Sequence, residues 1–193
     1  QRVVRKFLRR TKHDRVELVI FGQQAMLHTP LTRDTKTLEG IVRDLTIGDV
    51  PELGTAIGDG LAMGLASLRR SDGDCTKDED CQRESKDFIC SEKSVCIARD
   101  KKRHKVVILL SDGDNNWTTR FDPDEAARTA HAMGVKVYTI LVGREDNDAY
   151  RGMSVNPATL RSIATLTGGE FFRASDTDSF DRGFQNVRNK LDK

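Results

Sequence analysis

Apolar residues recur along this chain with two periods. Val3, Val4, Phe7 and Leu8 fall on one side of a helical repeat, and Arg2, Arg5, Lys6, Arg9 and Arg10 fall on the other, which predicts an opening helix with one buried stripe. The run Arg15 to Phe21 (RVELVIF) reads as a strand ended by Gly22, and Ala25 to His28 as a short edge strand stopped by Pro30. Asp34 to Leu45 returns to helical spacing through Leu38, Ile41, Val42 and Leu45, with Asp34 as the N-cap. Thr55 opens the next helix, GTAIGDGLAMGLASLRR, whose small residues Ala56, Gly60, Ala62, Gly64 and Ala66 suit close packing on a sheet. Lys105 to Leu110 (KVVILL) is apolar on both faces, the pattern of a central parallel strand covered on each side by helices. A helix from Asp122 to Met133, a strand from Lys136 to Val142, a helix from Pro157 to Leu166, a strand from Glu170 to Arg173 and a closing helix from Asp176 complete the order.

Strand alternating with helix predicts an α/β fold: a doubly wound, mostly parallel sheet flanked by helices. One segment interrupts that rhythm. Residues 71–103 are densely charged, lack apolar periodicity and hold all four cysteines, so they read as an insertion between a helix and the following strand. The domain proper is then 1–70 plus 104–193.

The 193 residues are 37% hydrophobic and 32% charged, and no apolar run reaches the length of a membrane-spanning helix. A net charge of +2 is too small to point to nucleic acid. The basic residues near the amino end, with Lys12 and Arg15 among them, read as a solvated helix face, with a patch for anionic lipid or acidic partners as the alternative. The chain opens inside that helix without a signal sequence or initiator methionine, and is read as a piece of a longer protein.

Cys75, Cys81, Cys90 and Cys96 are separated by five, eight and five residues, in a segment too polar to fold by hydrophobic burial alone. Two disulfides fit this spacing and would place the domain in an oxidising compartment. A structural zinc site, whose cysteines pair at shorter intervals, and free thiols are the alternatives. Asp72, Asp74, Asp78, Glu79 and Asp80 invite a calcium reading, but counting from Asp72 the sixth and twelfth places hold Lys77 and Arg83 instead of Gly and Glu. An acidic solvated loop fits better.

Ligands of parallel doubly wound sheets bind outside the carboxyl ends of the strands. Asp112 lies at that end of the apolar strand VVILLSDGDNN, and Thr55, at the start of a helix that precedes a strand, falls on the same rim. A carboxylate and a hydroxyl converging there suit a hard cation. Asp59, a turn beyond Thr55, reads as a helix-start residue tightening the loop and not as a ligand. Gly113, Asp114, Asn115, Asn116 and Trp117 line the rim; the polar ones are expected to bond within their own turn, with a part in ligand selectivity as the alternative. Trp117 is either a contact anchor or a packing residue. His13, His28, His104 and His131 are scattered and read as structural.

The stretches LVIFGQQAMLHTPLTRDTKTLEGIV, GTAIGDGLAMGL, KVVILLSDGDNN, AHAMGVKVYTILVG and LRSIATLTGGEFFRASDTDSFD resemble successive parts of a von Willebrand factor type A domain, most nearly those of bacterial aerotolerance (Bat) membrane proteins. The resemblance implies a protein-binding module and not an enzyme. It also implies a metal-ion-dependent adhesion site of three loops, with Thr55 as the second element and Asp112 as the third. The first element, Asp-x-Ser-x-Ser, occurs nowhere in these residues and is expected on a central strand preceding Gln1, so the magnesium (or manganese or calcium) ion is conditional on that loop. The implied ligand is an acidic side chain of a partner protein. Membrane anchors outside this segment, the extracytoplasmic or periplasmic side of a bacterial envelope, sibling Bat domains and a MoxR-type AAA+ ATPase follow from the same resemblance.

Two other readings start from the same residues. A degenerate metal site would leave partner binding to the insertion. Alternatively, Asp112 and Asp114 resemble the Asp-x-Asp of haloacid-dehalogenase-like phosphatases, with Asp146 and Asp148 as magnesium ligands, although Asn116 stands where that family has Thr or Val and the motif comes late in the chain. No nucleotide-binding glycine loop is present.

Overall fold

A computed structural model describes residues 2–11, 14–46, 48–50, 54–70, 78–81, 88–90, 96–98, 105–112, 115, 117, 120–142, 157–174, 181–183, 185–187 and 189. The opening helix α1 (Arg2–Arg10) leads into the antiparallel pair β1 (Val16–Phe21) and β2 (Ala25–Thr32), then α2 (Thr35–Asp44) and α3 (Ile57–Arg70). A one-turn helix α4 (Asp78–Cys81) and the antiparallel pair β3 (Phe88–Cys90) and β4 (Cys96–Ala98) follow. The rest alternates: β5 (Val106–Ser111), α5 (Pro123–Ala132), β6 (Lys136–Val142), α6 (Ala158–Thr167) and β7 (Phe171–Ala174). Residues 181–183 and 185–187 are helical, in line with the predicted closing helix.

Strands β5, β6 and β7 form a parallel sheet in that order. Residues Val137 to Leu141 of β6 are all buried, because both its neighbours and both its faces are covered. The alternation of side chains separates two layers. Val137 and Leu141, with Leu109 of β5, join Ile57, Leu61, Leu65 and Leu68 of α3, Ala126, Ala127 and Ala130 of α5, and Leu160 and Ile163 of α6. Ile140, with Ile108 and Leu110, faces Val4 and Phe7 of α1.

The hairpin shares both layers. Phe21 and Leu31 pack into the α3 layer, while Val16 and Leu18 join Leu38 and Val42 of α2 and the same Val4 and Phe7 of α1. Two half-sheets are therefore spanned by α3 on one face and α1 on the other, yet among the described residues no ladder joins β1 to β5. The strand expected at the centre thus stands at the edge of its described sheet, although its apolar faces are covered as its composition requires.

Other expectations shift in detail. Pro30 does not end β2. The register steps from Leu18 opposite Thr29 to Val16 opposite Thr32, so Pro30 falls in a bulge where a missing N–H breaks no ladder bond. Of the glycines Gly60 and Gly64 in α3, Gly60 is the one against the hairpin: a Cβ there would lie 2.8 Å from the Phe21 ring, whereas at Gly64 it would meet nothing within 4 Å. Asp78, Glu79 and Asp80 sit on α4 and not in a loop. The basic face of α1 is partly committed within the chain, since Arg5 and Arg9 pair with Glu39 of α2 and Lys6 with Asp181.

Candidate functional site

The carboxyl ends of β5 and β6 and the start of α3 meet on one rim. Thr55 is half-buried two residues before α3 and not in its first turn. Its loop is held from the hairpin side, where the Ala56 N–H donates to the Gly22 carbonyl at 2.7 Å. Asp112 follows the buried Ser111 and is exposed; the Ser111 hydroxyl lies 3.5 Å from its Oδ1.

From the other side, the chain leaving β5 is fastened to α3 at two points. The Ile57 N–H donates to Asn115 Oδ1 at 3.0 Å, and the Phe121 N–H donates to Asp59 Oδ1 at 2.9 Å. Between these contacts a Cβ on Gly58 would sit 1.9 Å from the Phe121 carbonyl oxygen, so only glycine permits the approach. Asp59 thus tightens the loop as its position predicted, although its partner lies in a different segment. Asn115 bonds across to α3, a contact the expectation of bonds within its own turn did not include, because the first helical N–H groups lack intrahelical acceptors. Asp122 then caps α5, accepting from the N–H groups of Asp124 and Glu125 at 2.9 and 3.1 Å.

Trp117 is 45% exposed beside this rim, and Phe121, which the sequence reading passed over, is 44% exposed. The signal for Phe121 was an aromatic next to an Asp-Pro helix start. Gly113, Asp114, Asn116, Asp146, Asp148, Cys75, Asp72, Asp74, His13 and His104 lie outside the described residues. Among the described residues no cluster of three His, Cys, Asp or Glu side chains could hold a metal. Thr55 and Asp112 have the oxygen chemistry that a hard cation takes, but an octahedral ion needs further oxygens.

A family model for the von Willebrand factor type A domain matches residues 1–187. The chain belongs to the von Willebrand factor type A domain family. Such domains in Bat-type proteins are generally interaction modules rather than enzymes, which leaves the phosphatase reading of Asp112 without support. An uncharacterized protein of Borreliella burgdorferi is 22% identical over 201 residues, covering 97% of this chain and 50% of that protein, so the chain spans about half the length of that relative. Its fold resembles that of an aerotolerance-related membrane protein from Bacteroides fragilis, with a TM-score of 0.70 at 16% identity over 99% of this chain and 85% of that one. It also resembles proximal thread matrix protein 1 from the mussel byssus, solved with a zinc-occupied MIDAS motif, with a TM-score of 0.58 at 20% identity over 96% of this chain and 39% of that one.

Proposed function

We propose that this von Willebrand factor type A domain binds a partner protein through a divalent cation at the Thr55 and Asp112 rim, within a membrane-anchored protein of the bacterial envelope. The observation that supports the reading is the fastening of the segment after Asp112 to the helix after Thr55 by the Ile57 and Phe121 amide bonds. Oxygen donors of this kind suit magnesium, with manganese or calcium as substitutes. Thr55 and Asp112 would hold the ion, and the ion when bound would supply a Lewis-acidic contact for an acidic side chain of the partner. The occupied MIDAS motif of the mussel protein supports the cation, and the membrane description of the Bacteroides protein supports the location.

The remaining oxygens are assigned to an Asp-x-Ser-x-Ser loop on a strand seated between β1 and β5. The apolar faces of β5, the two helices that span both half-sheets, and the open space beside buried Gly64 on α3 favour a strand there. Two disulfides among Cys75, Cys81, Cys90 and Cys96 would staple residues 71–103 and fit an oxidising envelope compartment. Sibling domains of the same family and a MoxR-type AAA+ ATPase are the partners that the family resemblance implies.

Magnesium titration of a chain extended upstream by its parent's preceding strand tests the site. Binding lost in Asp112→Ala and weakened in Thr55→Ala is the expected result, and an unchanged affinity in Asp112→Ala sinks it. A second reading, partner binding through residues 71–103 alone, is favoured by the packing of α4 against β3 and β4 among the described residues. Deleting that insertion separates the two, because it leaves magnesium binding intact under the first reading and abolishes partner capture under the second.

A further inference from the structure

Three consecutive positions of α3, Ile57, Gly58 and Asp59, each touch the segment that leaves β5. We infer that Asp59, Gly58 and Asn115 form a latch that fixes the Asp112 segment on the helix following Thr55, and that Asp59 is a positioning residue and not a cation ligand. The consequence for binding rests on the metal-site reading above, while the latch itself stands on the contacts.

The first turn of a helix leaves N–H groups without intrahelical acceptors, and two of them are taken here by protein groups: Ala56 by Gly22 and Ile57 by Asn115. This helix start is thus already engaged on both sides. Asp59, in the first turn, carries the charge sign that the helix dipole favours, and it uses one carboxylate oxygen to receive the Phe121 N–H. Gly58 provides the clearance, since its absent Cβ would also come within 2.9 Å of the Phe121 carbonyl carbon and 3.0 Å of Pro123 N. Asn115 holds the segment three residues beyond Asp112, and Asp59 with Gly58 holds it just before the α5 cap at Asp122. The placement of Asp112 relative to Thr55 is thereby set by protein contacts before any cation arrives, and Trp117 lies between the two fastening points.

Trp117 is the only tryptophan, so its fluorescence reports this segment without a cation present. In the full chain, Asp59→Ala and Gly58→Ala should shift its emission and raise its acrylamide quenching alike. Asp59→Asn, which keeps an acceptor oxygen but loses the charge, should stay closer to the parent than to Asp59→Ala. Magnesium affinity should follow the same order, falling about tenfold or more in the first two variants, as expected for loss of a hydrogen bond to a charged group. Should Gly58→Ala fail to fold by circular dichroism, Asn115→Ala loosens the other fastening point and takes its place. Unchanged fluorescence in Asp59→Ala and its companion overturns the latch, whatever the cation does. If Asp59→Asn binds magnesium as weakly as Asp59→Ala while its fluorescence stays at the parent value, Asp59 is a ligand and the inference fails. If the fluorescence order holds but even Asp112→Ala leaves magnesium affinity unchanged, the latch stands and the metal-site reading falls.

Discussion

At the scale of single residues, legibility followed the reach of each side chain. Asp34 was readable as an N-cap because its bonds are local: it accepts from the Thr37 N–H at 3.0 Å and from the Thr37 hydroxyl at 2.6 Å, and these bonds hold its carboxyl below the usual range. Asp34→Ala should destabilise, seen as a lower midpoint in urea denaturation. Gly40, inside α2 with nothing within 4 Å of an added Cβ, gives the opposite sign, and Gly40→Ala should stabilise by roughly 0.5–1 kcal/mol in the same assay. Gly60→Ala should destabilise, since the Phe21 ring must move. Asp112 and Thr55 were legible from the rule that parallel sheets bind at their carboxyl ends. Asn115 was not, because its acceptor oxygen serves an amide 58 positions away and no local pattern marks such a bond.

Among elements, periodicity located the helices and strands of the α/β body, while their ends and their neighbours depended on contacts remote in sequence. β2 shows this: its prediction stopped at Pro30 because a proline breaks an even ladder, and the bulge carries the strand through to Thr32. In α1 the basic residues read as a solvated face, but carboxylates on α2 and near the carboxyl end meet them. Glu39 is the centre of this clamp. The hydrogen bond from Arg9, followed by that from Arg5 and the charges of both, outweighs its partial desolvation and brings its pKa down to about 2 from an ordinary 4.5. A carboxyl with a depressed folded-state pKa adds stability that is fully present above the ordinary value and is lost as pH falls through the folded one. The parent chain should therefore lose the stability of the α1 and α2 pairing between pH 4.5 and about 2, and Glu39→Gln should lack that component in denaturation curves taken across the window. A parallel pH response in parent and variant would refute it.

For the whole molecule, the sequence order of helices and strands was enough for the fold class, and the family match over residues 1–187 agrees with it. The separation into two half-sheets was legible only through the family resemblance, which expects a central strand ahead of Gln1; β1 and β5 themselves read as ordinary strands, and among the described residues no ladder joins them. The short elements within residues 71–103 were not legible, because strands of three residues leave no measurable period. Removing residues 72–102 should leave the thermal unfolding midpoint of the α/β body within a few degrees, as α4, β3 and β4 pack chiefly on one another. A collapse of the folded signal would show that the body depends on them. One further consequence comes from β6, which has a ladder on each side and an unbroken buried run from Val137 to Leu141. Amides of this strand can reach deuterium only when the molecule opens as a whole, whereas those of the hairpin exchange through smaller openings, so solvent isotope uptake should rank the hairpin ahead of β6.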